Sequence, residues 1–125
     1  MKKMIKNTQF RIGNYLLFDD EIQFISSIHY DNTIRLKKTE NDECHGCYKI
    51  NNTRIKPITL TEEIIKRFGY FKQQCFYKNG SNIEFYLNND KIICELFGET
   101  LYNIYFVHQF QNLFYSITSI DLKIN

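Results

Sequence analysis

Strand-like segments rich in β-branched and aromatic residues make up much of this chain, and the apolar pattern shifts to a period near 3.6 in two places. That shift constrains the fold most, because side chains alternate across a strand but return to one face of a helix every three or four positions. The first strand-like stretch is FRIGNYLLF (10–18), rich in β-branched and aromatic residues, and Asp19-Asp20 then supplies a turn before EIQFISSIHY, where Ile22, Phe24 and Ile28 mark a second strand. A third strand is expected over 33–36, followed by the polar stretch KKTENDECHGC, which has too little apolar surface to be core and reads as an exposed loop. Residues 48–50 and 54–58 return to the sheet across Asn51-Asn52. Residues 71–77, 83–87 and 91–97 form a meander joined at Asn79-Gly80 and Asn88-Asn89-Asp90.

The first departure from period two is TLTEEIIKRFGY, with Ile64, Ile65 and Phe68 on one face. Thr61 can cap it, or Thr59 in a capping box with Glu62; Leu60 and Ile65 occupy staple positions, and Gly69 suits the left-handed residue that ends a helix. The second is VHQFQNLFYSIT and its flanks, where Phe106, Phe110, Leu113, Phe114 and Ile117 form one stripe. The expected architecture is α+β in a single domain, 1–125. A mainly antiparallel, curved sheet would carry a short central helix, about 61–68, and a C-terminal helix, about 104–118. A chain of 125 residues with 43% hydrophobic content can bury roughly two-thirds of its unfolded surface, enough for one core.

Charge is close to balanced, 16 basic against 14 acidic residues, which falls short of the basic excess that non-specific phosphate binding requires. The basic clusters Lys2, Lys3, Lys6, Arg11, then Arg35, Lys37, Lys38, then Arg54, Lys56 read as solvated faces. Tyr15, Phe18, Tyr30, Tyr48, Phe76, Tyr77, Phe85, Tyr86 and Tyr102 could stack on bases, but alternation buries about half of them and the rest would equally suit a protein. Nucleic acid is therefore a possible partner but not the favoured one. MKKMIKNTQF lacks the apolar segment of a secretory signal, and no apolar run approaches the roughly 20 residues that span a bilayer. The expectation is a cytoplasmic protein with no membrane partner, whose four cysteines are thiols.

Cys44-His45-Gly46-Cys47 has the spacing of half a zinc site, but a closed site needs two more ligands, and only Cys75, Cys94, His29 and His108 are available, scattered along the chain. Cys44 and Cys47 are weak metal candidates, the motif reads first as a loop and last as a redox CxxC, since it does not open a helix that follows a strand, and no cofactor is expected. On the second helix His108, Gln111, Asn112 and Tyr115 share a polar face. No nucleophile or carboxylate accompanies the histidine, which argues against catalysis there. The four are candidates for binding a ligand or partner, beside the plainer reading that His108 and Gln111 fasten the helix to backbone groups.

Three segments, RIGNYLLF, IKPITLTEEIIKRFGY and IYFVHQFQNLFYSIT, occur in an order that resembles a family of small uncharacterised proteins carried by phages and prophages of Bacteroidota. Ile64 stands where that family has tryptophan, Phe110 where it has leucine, and Ser116-Ile117-Thr118-Ser119 departs from its A-L-T-G ending. The resemblance implies a phage or prophage gene in a low-GC host, which agrees with the absence of alanine and tryptophan. It implies no reaction. The leading expectation is a non-enzymatic phage accessory protein that binds a host or phage protein, or a small signalling nucleotide, in the host cytoplasm, as an anti-defence factor would. A nucleic-acid-associated phage protein is the alternative, and a small metal-dependent enzyme a distant third.

Overall fold

A two-residue turn sets the register of the first sheet. Asp19 and Asp20 both adopt left-handed backbone, φ 50° and 64°, and close a hairpin between β1 (Tyr15–Phe18) and β2 (Glu21–Ile28) with Phe18 opposite Glu21. Leu16 then faces Gln23, so Leu16, Phe18, Gln23 and Ile25 turn to one side of the sheet and are buried. Ile22 and Phe24, the residues that mark this strand in the sequence, are half-buried on the other side, and Ile28 is exposed. Tyr15 meets Phe24 there edge to face at 6.1 Å.

The computed structural model describes residues 10–42, 46–72, 76–77, 83–88, 91–96 and 99–124, with side chains for 10–42, 46–70 and 104–124. The chain is α+β and divides into two compact units, Met1–Ile58 and Thr59–Asn125.

In the first unit β3 (Thr33–Lys37), β4 (Cys47–Lys49) and β5 (Ile55–Lys56) complete an antiparallel sheet in the order β4-β3-β2-β1-β5. Between Ile25 and Ser27 the register of β2 against β3 shifts by a bulge, where the Ser26 hydroxyl donates to the Arg35 carbonyl at 3.2 Å. A bulge bends its strand and adds twist, which curls the sheet into a half-barrel. Its concave side holds Phe10, Leu16, Phe18, Ile25, Ile34, Leu36, Ile50 and Ile55, with Tyr48 packed against them.

The strand expected from Phe10 begins only at Tyr15, because 11–14 form a turn. Gly13 has φ 94°, the Arg11 N–H donates to Asn14 Oδ1 at 2.7 Å, and Gly13 N–H and Asn14 C=O both bond to Ile25. Asn14 is fully buried, so RIGN is a structural lock on β2.

In the second unit α1 (Glu62–Arg67) is bounded by groups visible in the sequence: Thr61 Oγ1 accepts from the Ile64 N–H at 3.3 Å, and Phe68 is the C-cap. Thr59 instead pairs with Phe106. Gly69 at φ 92° donates to the Lys66 carbonyl and Tyr70 donates to that of Ile65, a Schellman ending. Forcing a Cβ into that left-handed position should cost roughly 1 to 2 kcal/mol. Gly69→Ala is accordingly expected to lower the urea midpoint with an unchanged m-value, and an unaltered midpoint would count against this terminus.

The second sheet is a meander in the order β10-β9-β8-β7-β6. It comprises β6 (Phe71–Lys72), β7 (Phe76–Tyr77), β8 (Ile83–Asn88), β9 (Lys91–Leu96) and β10 (Glu99–Ile104). The single strand expected over 71–77 is two short strands paired with each other, Phe71 opposite Tyr77, and β10 extends the meander beyond the expected three strands. The turn residues Asn79, Gly80, Asn89 and Asp90 lie outside the described residues.

The second helix, α2, spans Val107–Thr118, not 104–118. Ile104 still pairs with Ile92 and Phe106 with Thr59, so strand pairing holds this backbone extended until Gln109 Oε1 accepts the N–H groups of Tyr105 and Phe106 at 3.0 and 3.1 Å. Its buried residues are Val107, His108, Phe110, Gln111 and Phe114. Leu113 is half-buried and Ile117 39% exposed, so the inward face is rotated from the expected stripe towards His108 and Gln111. Phe110 stacks on Phe68 at 5.4 Å and meets Tyr70 edge-on at 5.5 Å, which joins α2 to the end of α1. The expected docking of α2 on the sheet rests on strand side chains outside the described residues.

Candidate functional site

The concave side of the half-barrel is not filled. A groove of about 330 Å³ opens there, lined by Phe18, Asp19, Glu21, Gln23, Lys38 and Tyr48, all from the first unit. Strand parity and the Asp19-Asp20 turn place them: Phe18 and Gln23 point inward from β1 and β2, Tyr48 from β4 opposite Ile34, and Lys38 follows β3.

The groove's aromatic wall is a pair. Phe18 and Tyr48 lie 4.4 Å apart between ring centroids at 43°, and the Arg54 guanidinium sits 4.4 Å over Phe18. Arg54 also grips Asp19 with both ends of its fork, Nε to Oδ1 at 2.8 Å and Nη2 to Oδ2. This hydrogen bonding holds the Asp19 carboxyl below its ordinary range and raises Arg54. Lys38 pairs with Glu21 at 2.7 Å, and that hydrogen bond raises the lysine. Both pairs are about half exposed, so they order the rim more than they stabilise the fold.

Gln23 differs from its neighbours. It is only 7% exposed, yet among the described residues none hydrogen-bonds to its carboxamide. A primary amide carries two donors and an acceptor with two lone pairs, and neither amide atom of Gln23 is sealed from solvent without a partner, so the carboxamide reaches the open groove. Arranged beside an aromatic wall and a neutral rim, it can offer a paired donor and acceptor to a ligand edge.

The residues singled out on α2 do not form a comparable surface. His108 is fully buried with its ring stacked parallel on Phe106 at 5.7 Å, and burial pushes its imidazole down to about 4, so it is uncharged at neutral pH. Gln111 is 2% exposed and its Nε2 donates to the Leu122 carbonyl at 3.2 Å. Asn112 is half-buried, and Tyr115 is 38% exposed.

Cys44 and His45 lie outside the described residues. Cys47 is an exposed free thiol on β4; Arg35 Nε donates to its sulfur at 3.2 Å, and His29 Nε2 lies 4.0 Å from the same sulfur. The sheet thus brings His29 to Cys47 although 18 residues separate them. Among the described residues no three His, Cys, Asp or Glu side chains gather as a metal site. No helix among them is long and apolar enough to cross a membrane.

Of the groove residues, Phe18, Tyr48 and Lys38 stand out in the sequence as aromatic or basic, as does Arg54 over the Phe18 ring, whereas Gln23, Asp19 and Glu21 do not. The available signal was parity: with a two-residue turn at Asp19-Asp20, Gln23 must share a side with Leu16 and Phe18. No protein-family model matches this chain, and no curated protein or solved structure does either.

Proposed function

We propose that the protein acts by binding and not by catalysis, holding a small planar ligand in the half-barrel groove. The supporting observation is Gln23, a residue more than nine-tenths buried whose carboxamide opens on a groove of about 330 Å³ and spends no hydrogen bond on a described residue. The groove's volume of about 330 Å³ falls within the roughly 300 to 1,000 Å³ of small-molecule pockets, and its lining sets two aromatic rings beside polar groups that can fix orientation. The rim's acids and bases are engaged with each other, which suits positioning better than proton transfer. Within the phage accessory role that the three sequence segments suggest, such a groove would withdraw a small host molecule, a signalling nucleotide or its fragment, in the host cytoplasm.

The test is ligand recovery. The full chain and Gln23→Leu are each incubated with a small-molecule extract of phage-infected cells, washed, heated, and the released compounds compared by mass spectrometry. A compound retained by the wild type and lost from the variant is expected. Identical profiles, or retention only of polypeptides, would refute the groove as the working site.

A further inference from the structure

We infer that the ligand of this groove is an uncharged nucleobase or nucleoside, read along its edge by Gln23 and held against the ring of Tyr48. This rests on the groove being the working site and adds the class of ligand.

Three features select that class. The carboxamide of Gln23 presents an acceptor and a donor side by side in one plane, the pattern that pairs bidentately with the adjacent donor and acceptor of a base edge. Tyr48 supplies the stacking wall: Phe18 is already covered by the Arg54 guanidinium at 4.4 Å and by Tyr48 itself, so Tyr48 is the ring placed to take a base.

The third feature is charge. Asp19, Glu21, Lys38 and Arg54 sum to zero, and each cation is bonded to a carboxylate, Lys38 to Glu21 at 2.7 Å and Arg54 to Asp19 at 2.8 Å. A phosphate reaching Lys38 or Arg54 would have to displace Glu21 or Asp19 and remain beside it, two like charges in one site. A neutral heterocycle meets no such opposition. The groove's 330 Å³ lies at the small end of ligand pockets, suited to a base with its sugar and too small for a dinucleotide.

Titration calorimetry of the full chain against the four common ribonucleosides and their 5′-monophosphates tests this. At least one nucleoside should bind, no more weakly than its monophosphate. Gln23→Leu should weaken it by about 10-fold or more, and Tyr48→Leu by roughly 5- to 100-fold, the range for loss of one stacked base. Lys66→Ala, an exposed charge on α1, which contributes no residue to the groove, should leave it unchanged within about 3-fold. Melting curves of each variant separate lost binding from lost fold.

A monophosphate that binds more than about 10-fold tighter than its nucleoside, with the advantage removed by Lys38→Ala, would overturn the uncharged class while leaving the groove as the site. Absence of binding to all eight compounds would overturn the inference outright. In that case the recovery experiment still decides whether the groove holds some other small molecule.

Discussion

Phe110→Ala is expected to destabilise the protein by about 3 to 5 kcal/mol and to lower its melting temperature by roughly 10 to 20 °C at this chain length. The ring is fully buried and touches both Phe68 and Tyr70, so its removal leaves a cavity between α2 and the end of α1 that cannot collapse without moving a helix. Ile117→Ala provides the control. Ile117 belongs to the same apolar stripe in the sequence but is 39% exposed, and its truncation should cost under about 1 kcal/mol. Comparable losses for the two variants by thermal melting would mean that the inward face of α2 is the one marked by the apolar residues alone.

Acidification should act through His108. Burial lowers its imidazole from an ordinary value of 6.5 to about 4, so between those limits the unfolded chain binds a proton that the folded chain refuses. Stability from this residue is complete above about pH 6.5, falls as the pH drops, and reaches its floor near pH 4. The loss amounts to roughly 2 kcal/mol at pH 5 and about 3 kcal/mol at the floor. Urea denaturation at pH 7.5 and pH 5 should show it, and His108→Gln, which keeps a neutral polar side chain, should remove most of the difference. A wild-type stability that is flat across this window would contradict a neutral, buried imidazole.

How legible these features were in the sequence depended on whether local chemistry or distant pairing decided them. Helix α1 was legible almost to the residue, because Thr61, Gly69 and the Leu60–Ile65 positions act within one turn of its ends. The inward face of α2 was not. A periodicity pattern counts His and Gln as polar, yet Gln111 spends its amide on the Leu122 carbonyl and His108 is neutral and stacked on Phe106, so both can sit inside. The start of α2 was set by strand pairing at Ile104 and Phe106, partners 12 and 47 residues away that no local pattern reveals.

The groove shows the same division. Its aromatic and basic residues could be named from composition, but their convergence depends on register. The Asp19-Asp20 turn puts Phe18 opposite Glu21, and the bulge at Ser26 curls the sheet so that Lys38 and Tyr48 reach the same hollow as Gln23. In EIQFI the eye is drawn to the isoleucines and phenylalanine, while the glutamine between them holds the inward position.

That glutamine carries the central claim, and the melting temperature of Gln23→Leu tests it most directly. An amide that opens on the groove without a protein partner contributes little to the free protein, and leucine fills similar space, so the variant should melt at the wild-type temperature or up to a few degrees above it. If instead Gln23→Leu melts many degrees lower, the amide is part of the scaffold, and the groove it lines has no claim to be the binding site.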